Sequence, residues 1–378
     1  MLELAAGRPH EALAFLDRGR ASLAPVGPVR GKGARRVAGP PGQVVLENAL
    51  VGDTLLTWTV QGPRAEVHRS VVDTVSLYRN IDRLLALLAR NADETEVRPL
   101  LASLYDLLIR KVENRLGPPG TTVVVIVDGD IATIPFSALY DARRARYLVE
   151  DHPLRSAVSL DEAARRGPTA GPAAAPLFVV DPAFDAAQNP GFQRLSGASA
   201  EVAQIVGEYR DARLLADAAA NGPALRAALT RAGLVHYAGH AVFDDERPER
   251  SYLLLAPAPG QTSPRNLSAG DIARLDLRQL SLVVLSACET VRTGRGRAAG
   301  FSGLSGAFLS AGAGGAVGSL WAVDDELTRP LMVELHREYR RTGSAAEALR
   351  LAQLRLLRSG DRALRSPAAW AGFRYVGR

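Results

Sequence analysis

Two hydrophobic rhythms alternate along this chain. Short continuous runs of aliphatic and β-branched residues mark strands, and stretches with apolar residues three and four apart mark helices. Residues 8–24 space Ala12, Phe15 and Leu16 at helical intervals, and residues 25–42, rich in Pro, Gly and Arg, read as a linker. Residues 44–51 and 54–60 read as strands joined through the turn Gly52-Asp53. Residues 71–90 and 97–116 read as amphipathic helices, and 121–127 as a strand turning at Asp128-Gly129-Asp130. After a Pro/Ala/Gly-rich break at 165–176, strands and helices alternate. Residues 177–180, 213–215, 234–238, 252–255, 280–287 and 316–320 read as strands; 198–209, the stretch opened by Asn221-Gly-Pro-Ala, and 301–309 read as helices. Ser344-Ala-Ala-Glu347 is a capping box that starts the last long helix. Such alternation predicts an α/β protein with a mostly parallel sheet covered by helices. The divisions are a helix with a basic linker (1–42), a first unit (43–165), a linker (166–176) and a second unit (177–378).

Composition narrows the class. With 47% apolar and 23% charged residues in 378, the chain is an ordinary globular one, long enough for two domains or one two-lobed domain. No run reaches the roughly 18 apolar residues of a membrane span, and the first ten residues lack the pattern of a secretory signal. One cysteine excludes an intramolecular disulfide and suits a reducing compartment, so the cytoplasm is the expected location. The net charge of +6 is carried almost wholly by arginine, since lysine occurs only at positions 32 and 111. Abundant Ala, Gly and Arg fit a GC-rich bacterial genome. The one dense basic cluster, Arg30 to Arg36, lacks interleaved aromatic residues to stack on bases, so it reads as a linker and not a nucleic-acid site.

The candidate chemistry sits at two strand ends. The run from Leu280 to Thr290 ends in Cys288, the only cysteine, followed at once by polar and Gly-rich sequence. A free cysteine is often only a small core residue. At the carboxyl edge of a parallel sheet it stands where ligands and reacting groups gather. Leu-Val-His-Tyr-Ala-Gly-His at 234–240 supplies two histidines. His236 lies mid-run and reads as a core histidine; His240 comes after Gly239, where the run opens into an acidic loop. If the two runs are adjacent parallel strands, Cys288 and His240 share one edge, and the imidazole can serve the thiol as its proton partner.

These residues also carry a resemblance. His-Tyr-Ala-Gly-His followed by Leu-Ser-Ala-Cys-Glu-Thr resembles the CHAT domain, a caspase-like cysteine peptidase family related to separase and often joined to tetratricopeptide repeats. The likeness continues in Phe308-Leu-Ser-Ala-Gly-Ala, Gly318-Ser-Leu-Trp-Ala-Val-Asp-Asp-Glu, Ala345-Ala-Glu-Ala-Leu-Arg and Pro367-Ala-Ala-Trp-Ala-Gly-Phe, and upstream in Val127-Asp-Gly-Asp and Ile134-Pro-Phe-Ser-Ala-Leu, covering about residues 45–378.

The resemblance implies a three-layer α/β/α fold with a non-catalytic half (43–165) fused to a catalytic half (177–378). It implies a cysteine endopeptidase without a cofactor or metal, acting on a specific protein substrate and checked by a sensor. Cys288 is then the nucleophile and His240 its partner, with the backbone N–H groups of Cys288 and Ala241 as the oxyanion hole. The family usually has Gly where this chain has Ala241. Acidic residues matching Asp324 and Asp325 recognise arginine before the cut in separase; here they imply an Arg or Lys preference, although acids at a helix start also complement its dipole. The alternative reading is an inactive CHAT-like scaffold. Residues 8–24 resemble the last helix of a tetratricopeptide array, implying a fragment or a helix that packs on the catalytic body or a tetratricopeptide partner. Bacterial relatives act in defence and cell death, which points to a neighbouring effector or pore-forming protein as substrate.

Overall fold

The computed structural model describes residues 9–23, 38–165, 175–184, 189, 191–244, 246–261, 266–287, 303–323 and 325–378. Eleven strands among them form one sheet: β1 (Gln43–Val51), β2 (Thr54–Gln61), β3 (Arg64–Val71), β4 (Thr122–Ile126), β5 (Leu154–Ser156), β6 (Leu177–Pro182), β7 (Arg213–Asp217), β8 (Leu234–Ala238), β9 (Leu282–Ser286), β10 (Gly315–Ser319) and β11 (Phe373–Gly377). Their order is β3-β2-β1-β4-β5-β11-β10-β9-β8-β6-β7. Strands β1, β4, β5 and β11 run parallel, and β10, β9, β8, β6 and β7 run parallel in the opposite sense; the blocks meet at the antiparallel pair β10–β11. A hairpin of β2 and β3 closes one end.

The longer helices are α1 (Pro9–Leu23), α2 (Thr74–Ala89), α3 (Glu94–Leu108), α4 (Ser196–Val206), α5 (Gly222–Leu229), α6 (Leu304–Ser310), α7 (Asp325–Thr342) and α8 (Ala345–Leu357). Strand residues alternate between the two faces, as a sheet buried on both sides requires. Leu282 and Val284 of β9 join the core under α2, α3, α4, α7 and α8. Val283 and Leu285 join the core under α5 and α6. Ala12 and Leu13 of α1 pack with Val45, Leu56 and Trp58 on the first block of strands. The result is the three-layer α/β/α arrangement with a mostly parallel sheet that the sequence implied.

Several boundaries differ from expectation. The helix expected over 71–90 begins three residues later: the β2–β3 hairpin turns at Gly62, β3 runs to Val71, and Asp73 caps α2 at Thr74 by accepting from the Ser76 N–H. Strand β3 buries only Ala65 among largely polar neighbours, so its pattern was weak. Helix α3 stops at Leu108, yet Ile109, Val112 and Leu116 stay buried, which carried the apolar period past the helix end. Strands β5 and β11 were not foreseen, being short and interrupted by Arg155 and by Arg374. The basic cluster at 30–36 and the centre of the linker at 166–174 lie outside the described residues.

Candidate functional site

Strands β8 and β9 are adjacent and parallel, with Ala238 opposite Ser286. Their carboxyl ends therefore lie side by side. From β8 the chain passes through Gly239 to His240; from β9 it passes through Ala287 toward Cys288 and Glu289, which lie outside the described residues. Ala287 itself is buried, and its carbonyl accepts a hydrogen bond from Oγ of the fully buried Ser319 at the end of β10. That bond fixes the backbone at the last described residue before the cysteine.

His240 is half-buried and closely held. Its Nε2 donates to the backbone carbonyl of Gln193 at 2.6 Å, which leaves the lone pair of the neutral ring on Nδ1. The ring lies between two phenyl groups, 4.7 Å from Phe192 and 5.7 Å from Phe184, centroid to centroid. Its own carbonyl accepts from Tyr237 Oη at 2.7 Å and from the Leu254 N–H at 2.9 Å. Burial pushes the Tyr237 phenol far above its ordinary value, so it remains a neutral donor. Gly239 is required here for space: a Cβ would meet Tyr237 Oη at 2.8 Å and Pro182 Cδ at 3.1 Å.

The loop that carries Phe192 and Gln193 is anchored by Asp181, a residue the sequence did not single out. Asp181 breaks the β6–β7 register between Val180 and Pro182 and takes a left-handed φ of 38°. Its carboxylate accepts from Arg194 Nε at 2.7 Å and from the Leu195 N–H at 3.2 Å. The only sequence signal was an acid before proline at a strand end. Phe184, Phe192 and Gln193 had none.

Ala241 pairs with Leu253 in a short three-stranded patch made by Ala241–Val242, Tyr252–Leu253 and Leu267–Ser268. It is not among the described non-glycine residues with positive φ, so alanine imposes no backbone strain at this position. Trp321, just past β10, is buried. Asp324 lies outside the described residues, and Asp325 is the first residue of α7, where Glu326 pairs with Arg329 at 2.8 Å. Of the expected residues, His240 and Ala241 thus stand together beyond β8.

His236 is wholly buried with both ring nitrogens bonded, to Glu201 and to His336. His336 was missed, although it continues the buried face of Leu331, Met332 and Leu335 on α7. Among the described residues, no group of three or more His, Cys, Asp or Glu is placed to hold a metal ion, and no helix is long and apolar enough to cross a membrane.

The CHAT domain family model matches residues 98–378. Tetratricopeptide repeat protein 28 of Mus musculus is 26% identical over 335 residues, covering 74% of this chain and 13% of that protein, so the chain spans about an eighth of that relative's length. Two crystal structures of the Saccharomyces cerevisiae separase–securin complex resemble it in fold, with TM-scores of 0.58 and 0.60 at 10% and 9% identity. Each covers 89% of this chain and 30% of the matched one.

Proposed function

The chain belongs to the CHAT domain family, and from that premise we propose that it is a cysteine endopeptidase in which Cys288 is the nucleophile and His240 its proton partner. The observation that carries the reading is the pairing of Ala238 with Ser286. Each candidate follows its member of that pair by two positions in the chain, past the carboxyl ends of adjacent parallel strands, the edge of an α/β sheet where ligands and reacting groups gather.

In this reaction His240 Nδ1 takes the proton of the Cys288 thiol, and the thiolate attacks the scissile carbonyl carbon to form a C–S bond as the C=O π pair moves onto oxygen. The tetrahedral oxyanion accepts hydrogen bonds from the backbone N–H groups of Cys288 and Ala241. Collapse breaks the C–N bond, and the leaving amine takes a proton from His240. Water then attacks the thioester carbonyl as His240 takes one of its protons; the C–S bond breaks, the carboxylic acid product leaves, and the imidazolium returns that proton to the sulfur. The bond to Gln193 and the flanking phenyl rings support this role, because they hold the imidazole in one orientation with Nδ1 as its basic nitrogen. Asp324 and Asp325 are assigned to bind an Arg or Lys before the cut as an ion pair. Residues 43–165 act as a supporting half, 166–176 as a linker and 177–378 as the catalytic half. The substrate is a protein, and a sensor or tetratricopeptide partner restrains the enzyme; the cytoplasm suits a reactive thiol.

The test is incubation of wild type, Cys288→Ala and His240→Ala with a peptide library. Wild-type cleavage after Arg or Lys, abolished in both variants, is the expected result. Cleavage that survives in Cys288→Ala removes the assigned nucleophile. Cleavage without a basic preference removes Asp324 and Asp325 as its readers.

A further inference from the structure

Behind the candidate site runs a buried chain of hydrogen bonds that the reaction does not use. Tyr209 Oη lies 2.8 Å from Nδ1 of His336, Nε2 of His336 lies 2.9 Å from Nδ1 of His236, and Nε2 of His236 lies 2.8 Å from Oε1 of Glu201. His236, His336 and Glu201 are at most 2% exposed. Phe178 of β6 packs its ring 5.9 Å from both imidazoles, and the strand neighbour Val284 of β9 adds only hydrocarbon. Arg340 lies over the Tyr209 ring at 5.5 Å and pairs with Glu208 at 2.9 Å.

With both rings neutral and Glu201 as a carboxylate, the protons in this chain have one order. Tyr209 O–H donates to His336 Nδ1, His336 Nε2–H to His236 Nδ1, and His236 Nε2–H to the Glu201 carboxylate. Burial and the neighbouring His236 hold His336 well below the ordinary histidine value, in keeping with its neutral place in that order. Every ring nitrogen is used once, as donor or as acceptor. Removing one member leaves its partners buried and unsatisfied.

What the chain joins gives it meaning. Glu201 is on α4, which follows directly on Phe192, Gln193 and Leu195. His236 is on β8, which leads to His240. His336 is on α7, which begins at Asp325. The three elements that deliver the imidazole, its carbonyl partner and the acidic helix start are thus bonded to one another in the interior, four residues back along β8 from His240.

We propose that His236 and His336 are positioning residues: the Glu201–His236–His336–Tyr209 chain sets β8, α4 and α7 so that His240 keeps its bond to Gln193. This rests on the peptidase reading only for its consequence in catalysis, because the bond itself can be observed without turnover.

The experiment compares wild type with His336→Phe, His336→Gln and a control in the other core, Leu229→Ala, each held well below its melting temperature. Phenylalanine fills the site without hydrogen bonds, whereas a glutamine amide can accept from Tyr209 and donate to His236. Two signals are read: kcat and KM for the library-derived peptide, and the His240 Nε2–H resonance in a 1H–15N spectrum of the full chain. In His336→Phe we expect kcat to fall at least about tenfold with KM within about twofold, the pattern of lost transition-state interaction, and the resonance to broaden or move. His336→Gln restores both, and Leu229→Ala loses stability while changing neither. An unchanged resonance and kcat in His336→Phe overturns the proposal, as does an equal loss in the control. Failure of the peptidase reading shows separately, as a wild type that cleaves no peptide while the resonance still reports on the chain.

Discussion

Nε2 of His240 lies 2.6 Å from the backbone carbonyl oxygen of Gln193. The contact turns a half-buried ring into an oriented one, and it depends on a loop that Asp181 anchors through Arg194 and Leu195. Asp181→Asn keeps the shape and the tolerance for a left-handed backbone but loses one of the two carboxylates paired with Arg194, the other being Asp217. A hydrogen bond to a charged group contributes about 1.5–3 kcal/mol, and part of that loss falls on the position of Gln193. The expected outcome is a fall of roughly tenfold in kcat/KM with a melting temperature lowered by only a few degrees. Steady-state kinetics beside a thermal melt check it, and an unaltered kcat/KM would separate Asp181 from the site.

Gly239 lies against the tip of the Tyr237 ring. That tip cannot retreat freely, since its hydroxyl serves the carbonyls of His240 and Leu254 at 2.7 and 2.8 Å. Gly239→Ala therefore displaces either the His240 segment or the buried ring, and overpacking of this kind costs about 1–3 kcal/mol. Tyr237→Phe removes the hydroxyl nearest the new Cβ, although Tyr237 Cζ at 2.9 Å remains close. Kinetics and melts on both single variants and the double variant form the check. The double variant is expected to lose less than the sum of the singles, and strict additivity would mean that the two residues do not meet.

Ala241 offers a sharper test of the oxyanion assignment. Because its backbone has no positive φ to relieve, Ala241→Gly is expected to change kcat by less than about twofold, within the small cost of glycine's extra freedom. Ala241→Pro deletes the N–H, and losing one oxyanion donor lowers kcat by about 100–1,000-fold. Active-site titration with a thiol reagent would confirm that the proline variant still folds and carries a reactive Cys288. Equal activity in all three proteins would remove Ala241 from the oxyanion hole.

The sheet and its edge were legible because parallel strands buried on both faces write themselves as continuous apolar runs, as in residues 282–285 and 234–238. His240 was legible because a glycine and an acidic loop mark the end of such a run. Asp181, Gln193 and Phe192 were not, because their roles come from a bulge and a loop that cross to another strand's end. A backbone carbonyl such as that of Gln193 carries no side-chain signature at all. His236 was read correctly as a core residue, but its partners His336, 100 positions away, and Glu201, 35 away, are visible only once α4 and α7 pack on one face of β8.

The docking of α1 provides the last prediction, and it turns on pH. Arg20 is buried between Glu47 of β1 and Asp128 after β4, and also donates to the Asn48 carbonyl at 3.0 Å. Burial pushes the Glu47 carboxyl up to about 8, against the pull of Arg20. With Glu47 protonated, Asp128 supplies the charge opposite Arg20. A carboxyl whose folded value lies above its unfolded value near 4.5 keeps its proton in the native state after the unfolded chain has lost it. Its contribution therefore declines as pH rises from about 4.5 to about 8 and is level above that. Glu47→Gln cannot ionise and escapes this decline. Relative to that variant, the wild type is expected to lose a few kcal/mol of unfolding free energy across this window. Urea denaturation at pH 5, 6.5 and 8 reads the difference directly. Arg20→Met adds the opposite stress, leaving Glu47 and Asp128 facing each other, and is expected to cost about 3–5 kcal/mol at pH 8 and to expose α1 to limited proteolysis. A difference between wild type and Glu47→Gln that stays flat with pH would show that Glu47 is ionised throughout, held by Arg20 alone.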